Sequence, residues 1–279
     1  MSASQLGSLE CRLLWYWSYP MGYKPIRKNI NLELGSGIHI ALDEYYGSGK
    51  DPVSVFSDWA DDRVKAIGSE WEDDQNNLLE AKDLGIAMLE GYLAEYEGED
   101  RFDVLATEHT LKRPIPTPEG NPSKCLMVAR LDGLVRDWDT GKLFAMEHKT
   151  YKRLNESWLD LDHQMTIQVW LGQYLAKTLG IEEEVAGVLY NGLRKQKPGP
   201  RVSVPLFMRQ KVYRNANQID VALTRAYWKY RETNRDMAIF PEPNPVRCGW
   251  CDFREPCTEL QMGGDYEFLL GEFFTKRER

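Results

Sequence analysis

LMVARLDGLVRDWDTGKLFAMEHKT, residues 126–150, is the stretch on which the fold turns. Residues 126–136 read as a strand, Asp139-Thr140-Gly141 as a turn, and LFAMEHKT as the returning strand. A four-residue loop from Trp138 to Gly141 pairs Asp137 with Lys142, and the same ladder then sets Asp132 opposite Glu147. Alternate side chains of a strand share a face, so Glu147 and Lys149 point the same way. Directly opposed residues have Cβ atoms about 4.5–5.5 Å apart, where two carboxylates destabilise a sheet unless something neutralises them. A divalent cation would do so. A solvated charge ladder on an exposed sheet is the plainer alternative.

Working outward, FDVLATEHTL (102–111) supplies a further strand before the hairpin. Ser157-x-x-Asp160 resembles a capping box, opening a helix near Ser157 that ends at Gly180. A strand at 185–190, an extended stretch at 201–213 and a helix at 216–237 follow. Upstream, residues 36–46 (SGIHIALDEYY) read as a short helix. Residues 69–96 read as a longer acidic one, with Leu78, Leu79, Ile86, Leu89 and Tyr92 at helical spacing. Strands and helices without regular alternation favour an α+β fold, with a central mixed sheet flanked by helices. The expected layout is a helical elaboration over 1–100, a core over 101–240 and a cysteine-rich segment over 241–279, integrated in one domain.

The chain has 279 residues, 42% hydrophobic and 28% charged, enough to bury a large core. No run approaches the roughly 18 apolar residues of a membrane span, and the opening MSASQLGSLECRL lacks the order of a signal peptide. An intracellular, cytoplasmic protein is expected. A net charge of -8 argues against wholesale coating of nucleic acid, although it hides local basic patches. One such patch is 194–214, RKQKPGPRVSVPLFMRQKVYR, with seven Lys/Arg and no acid. Arg194, Lys195 and Lys197 can meet phosphates there while Phe207 and Tyr213 stack on bases; an ordinary solvated hairpin is the alternative. A second basic stretch runs from Lys24 to Lys28.

Hydrolysis of a phosphodiester needs a metal to polarise the phosphoryl oxygen and sharpen water, and hard oxygen ligands suit Mg2+ or Mn2+. Asp132 and Glu147 are such ligands, and Lys149 can orient or deprotonate the water or stabilise charge on phosphorus. His39, in Gly35-x-x-x-His at an expected helix start, is a suitable third ligand for Mn2+. Gln164, about one turn into the helix after the hairpin, can hydrogen-bond the water, Lys149 or a phosphate.

These four elements, Gly35-x-x-x-His39, Leu131-Asp132-Gly133, Glu147-His148-Lys149 and Gln164, resemble in order the motifs of RecB-like nucleases of the PD-(D/E)XK superfamily. The resemblance implies that His39, Asp132 and Glu147 bind the metal, with the His148 carbonyl as a further ligand, that Lys149 is catalytic and that Gln164 assists. It implies an exonuclease that prefers single-stranded DNA, working in recombination, repair or processing, with a helicase, recombinase or integrase as partner. One position departs from the pattern, since Gln168 stands where the family often has Tyr.

Cys248-x2-Cys251-x5-Cys257 is a tight ligand set, and Cys11 is the natural fourth thiol. Thiolate chemistry alone leaves a zinc site and a 4Fe-4S cluster open. The pattern resembles the iron-sulfur branch of the RecB-like nucleases, AddB-type subunits and CRISPR-associated exonucleases among them, which implies 4Fe-4S. Cys125 reads as a core residue. Two other functions fit parts of this pattern, a catalytically silent iron-sulfur scaffold and a zinc-binding regulator that contacts DNA without cutting it.

Overall fold

The computed structural model describes every residue except 28, 68–71, 154–155, 200–201, 203 and 278–279. Lys28 of the second basic stretch, the head of the expected acidic helix at 69–71, and residues 201 and 203 of the expected extended stretch therefore lie outside the described residues. In chain order the elements run α1 Ala3–Ser8, α2 Arg12–Ser18, β1 Tyr23–Pro25, α3 Ile30–Ser48, α4 Pro52–Ala66, α5 Glu72–Tyr96, β2 Phe102–Pro116, β3 Pro122–Asp137 and β4 Leu143–Tyr151. A 3-10 turn, Glu156–Leu161, leads to α6 His163–Thr178, β5 Val185–Arg194, β6 Phe207–Tyr213 and α7 Ala216–Thr233. Then come α8 Pro245–Cys248, α9 Arg254–Met262, α10 Tyr266–Phe273 and β7 Phe274–Lys276.

The expected mixed sheet flanked by helices is what the chain forms, a restriction-endonuclease-like core with strand order β2-β3-β4-β5-β6. The β3/β4 pair is antiparallel, β4/β5 parallel and β5/β6 antiparallel. A parallel pair needs a long crossover, and α6 supplies it. Contacts group the residues into two compact units, one of Asn29–Arg113 and Val128–Ala222, the other of Met1–Lys28, Pro114–Met127 and Leu223–Arg279.

In the first unit, α3, α4 and α5 pack around Leu34, Ile38, Leu42, Phe56, Met88, Leu89 and Tyr92, with Leu193 of β5 joining the cluster. The helix α4 was not expected, yet its start is encoded locally. Asp51 accepts from the Val53 and Ser54 N–H groups at 3.2 and 3.1 Å, and Pro52 follows it in the first turn, where a missing N–H costs nothing. Helix α3 starts at Ile30, not near residue 36, so Gly35 and His39 sit within the helix instead of at its start. The apolar spacing simply continues backward through Leu34.

The close approach of α4 and α5 depends on Gly85, where a Cβ would stand 2.2 Å from Phe56 Cζ and 3.0 Å from Leu34 Cδ1. Alanine in a helix interior gains about 1 kcal/mol over glycine. Overpacking a closed core costs about 1–3 kcal/mol, and Phe56 is fully buried. Gly85→Ala is therefore expected to lower the urea midpoint despite its better helix propensity.

In the second unit, β1 pairs antiparallel with β7, Tyr23 facing Lys276. Leu13, Trp17, Phe253, Leu270 and Phe274 form its core. The Trp15-Tyr16-Trp17 stretch thus lies in a packed helix, and the apolar tail docks through Leu270 and Phe274. Cys125 is buried, as expected. Among the described residues no helix is long and apolar enough to cross a membrane.

Candidate functional site

The β3/β4 ladder pairs Gly133 with Met146 and Arg136 with Leu143, the register expected from the loop, and one step further sets Asp132 across from Glu147. The turn is held as the residues dictate, with Asp137 accepting from the Thr140 N–H at 3.0 Å and Gly141 at φ +68°.

Along β4, Ala145, Glu147 and Lys149 share a face and advance about 6.6 Å per alternate residue, close to the roughly 6 Å of four residues of helix. On α6 the matching positions are Gln164, Gln168 and Gly172. Gly172 lies against Ala145, whose Cβ is 3.6 Å from where a side chain at position 172 would begin. Glu147 is 3% exposed and receives three donors. Its Oε1 accepts from Lys149 Nζ at 2.7 Å and Gln164 Nε2 at 2.9 Å, and its Oε2 accepts from Gln168 Nε2. Lys149 Nζ also donates to Gln164 Oε1 at 3.3 Å.

Gln164 is the second residue of α6, and the expected Ser157-Asp160 box is not the cap of that helix. Ser157 lies in the 3-10 turn, and Asp162 is the cap, accepting from the Gln164 and Met165 N–H groups at 2.7 and 3.2 Å. Buried Arg214 secures the turn, donating to the Leu159 carbonyl at 2.5 Å and to Thr166 Oγ1 at 2.9 Å.

The Asp132 carboxylate binds outside the ladder. Its Oδ2 accepts from the His148 N–H at 2.8 Å, and its Oδ1 lies 3.2 Å from His39 Nδ1. Helix α3 brings His39 here because Gly35 approaches β4, a Cβ at that position lying 3.2 Å from Thr150 Oγ1. The His148 imidazole turns away from Glu147, stacks on Tyr46, and accepts on Nδ1 from Asn191 Nδ2 at 2.8 Å. Behind it, Asn191, Tyr92, Tyr46, Arg209 and Asp100 form a buried hydrogen-bonded network.

Electrostatics follow from this burial. Burial drives the His148 pKa down to about 3, so its imidazole is neutral. Burial also opposes charge on His39, but the hydrogen bond and charge of Asp132 raise its pKa overall. Asp132 is lowered, burial being outweighed by His39. Burial raises Glu147, with Lys149 working against it. Burial would lower Lys149, but the Glu147 charge holds it up. Two acidic side chains, an imidazole and an amine thus make a compact cluster of coupled groups around one strand end.

A family model described as the PD-(D/E)XK nuclease superfamily matches residues 1–258. The chain belongs to the PD-(D/E)XK nuclease superfamily. No curated protein matches the sequence. Nucleases of this superfamily use divalent metals such as Mg2+ or Mn2+. The oxygen donors of Asp132 and Glu147 have the right chemistry for such an ion. As the side chains lie, Asp132 is tied to the His148 N–H and His39, and Glu147 to Lys149, Gln164 and Gln168. Among the described residues no group of three or more His, Cys, Asp or Glu is disposed to hold a metal ion.

The residues expected to meet DNA fall into two groups. Arg194 and Lys195 lie at the end of β5 beside Tyr151, the Lys195 N–H donating to the Tyr151 carbonyl at 2.8 Å. Lys197 follows, exposed. Tyr213 is not with them. It pairs with Gly187 at the far end of β5, edge-on to Phe144. Phe207 is half-buried and packs on Tyr92 and Tyr96 against the helical core. The extended stretch forms a strand only from Phe207.

Cys11, Cys248, Cys251 and Cys257 line one cavity of about 250 Å³, with Trp17 and Phe253 in its wall. N–H donors surround the thiols. The Glu242 N–H lies 3.5 Å from Cys11 Sγ, the Asn244 N–H 3.3 Å from Cys248 Sγ and Gln261 Nε2 3.4 Å from Cys257 Sγ, while the Phe253 N–H donates to Cys251. Burial raises the Cys251 and Cys257 thiols.

No local pattern marks Asn191, which meets His148, or Arg209, which meets Asn191. Gln168 departs from the motif, yet Gln164 and Gln168, four apart on a helix, share a face.

Proposed function

We propose that this PD-(D/E)XK nuclease is a metal-dependent exonuclease acting on single-stranded DNA ends in recombination, repair or processing. The observation that carries the reading is the Glu147 carboxylate, buried, gripped by Lys149 and Gln164 and set across the ladder from Asp132. A surface charge ladder would leave it solvated. A bound Mg2+ or Mn2+ supplies Lewis acidity for the phosphoryl oxygen and an activated water. Asp132 and Glu147 are the proposed ligands, with His39 and the His148 carbonyl completing the set. Asp132 is oriented by the His148 N–H, and Glu147 by the two α6 amides. Lys149, 38% exposed beside this buried carboxylate, presents an ammonium to water or to charge developing on phosphorus.

The proposed DNA path runs over the ends of β4 and β5. Lys152, Arg153 and Lys197 are exposed there and Arg194 is half-buried, in a chain of net charge -8. Trp158, 57% exposed on the turn that Arg214 secures, offers a stacking surface, and cation plus aromatic is the chemistry of single-strand binding.

We also propose a 4Fe-4S cluster on Cys11, Cys248, Cys251 and Cys257. A tetrahedral zinc-thiolate site draws its sulfurs to about 3.8 Å of one another, given a Zn–S bond of about 2.3 Å. Four thiols spread around about 250 Å³ and met by N–H donors support the larger group.

End-labelled linear and end-free circular single strands, incubated with Mn2+ or Mg2+, test the proposal. Linear strands are expected to be degraded from an end while circles persist. Equal loss of circles would contradict the exonuclease reading, and no loss of either would contradict the nuclease.

A further inference from the structure

Gln168 is 1% exposed, and its amide does two unlike things. Nε2 donates to Glu147 Oε2, while Oε1, also buried, has no hydrogen-bond partner. A buried amide oxygen left unpaired is desolvated without compensation, so the fold keeps this glutamine at a loss. The loss has a counterpart in the neighbouring carboxylate. A carboxylate offers about four acceptor positions, two per oxygen. Glu147 Oε1 spends both on Lys149 and Gln164, whereas Oε2 spends one on Gln168 and keeps one.

Resting on the nuclease reading above, we propose that Gln168 is a positioning residue that fixes the Glu147 carboxylate so that Oε2 presents its remaining lone pair to the divalent ion. Gln164 and Gln168, one turn apart on α6, hold the two oxygens separately and stop the carboxylate from rotating about its last bond. The unpaired Oε1 of Gln168 makes no contact that would favour the opposite orientation of the amide, so Nε2 is left as the side chain's one bonded atom.

Gln168→Met and Gln168→Leu remove the donor and the orphan acceptor at similar volume. Mn2+ binding, read from the loss of the free-ion electron paramagnetic resonance signal, is expected to weaken about 10- to 100-fold, as for other groups that orient a ligand. The kcat is expected to fall with it while KM for DNA holds, and Tm stays level or rises because a buried unpaired oxygen has gone. Unchanged Mn2+ affinity and kcat in a folded variant would overturn the proposal. So would parallel loss of Tm and Mn2+ affinity in both variants, which marks a packing role. Wild-type protein that neither binds Mn2+ nor cuts DNA overturns the nuclease reading, and the role of Gln168 with it.

Discussion

Lys149→Ala is expected to cut the single-turnover rate of DNA cleavage roughly 100- to 1,000-fold, the loss typical of removing one preorganised charge-stabilising donor. Lys149 Nζ is the only cation within 3 Å of Glu147 among the described contacts, at 2.7 Å. The side chain is more than a third exposed, so solvent softens the cost of breaking the pair and the variant should fold. Glu147→Gln is the companion test, since it keeps the shape and removes the charge. It should match Lys149→Ala in rate and lose Mn2+ affinity as well, whereas Lys149→Ala should retain it. Near-wild-type cleavage by Lys149→Ala would remove the lysine from the chemistry.

Cys251→Ser is expected to abolish the brown colour of the purified protein and to lower Tm together with activity. Closing a loop of roughly 240 residues carries about 5 kcal/mol of chain entropy. The fold already supplies part of that closure through the β1/β7 pair and the ion pair of Glu10 with Arg247 at 2.8 Å. About 2–3 kcal/mol is left for the thiol site to contribute, or roughly 3–5 °C in Tm for a chain of 279 residues. Differential scanning calorimetry and the visible spectrum check both effects. An unchanged spectrum would contradict the cluster, and lost activity at unchanged Tm would contradict its role as a clasp.

What could be read in the sequence was local or periodic. The register of the hairpin followed from Asp137, Thr140 and Gly141, whose turn hydrogen bonds close within five residues. That register alone placed Asp132 against Glu147 and put Lys149 on the same face. The features that escaped depend on partners far apart in the chain. Arg209 reaches Tyr92 across 117 positions and Asn191 reaches Tyr92 across 99, so the network behind His148 left no pattern. Ser157 misled because its capping box is sound chemistry at the wrong place, the real cap being Asp162 with Arg214 behind it. In the basic stretch a strand packs Phe207 against the helical core and carries Tyr213 to the opposite end of the sheet from Arg194, a separation that the run of residues alone does not mark.

The most direct test is cleavage of labelled single-stranded DNA by wild-type protein and Asp132→Ala, each with Mn2+ and with chelator. Rapid cleavage by wild type with Mn2+, and background levels in the other three reactions, is the expected result. Cleavage that survives the chelator, or an Asp132→Ala protein as fast as wild type, would contradict a metal-bearing site on this hairpin.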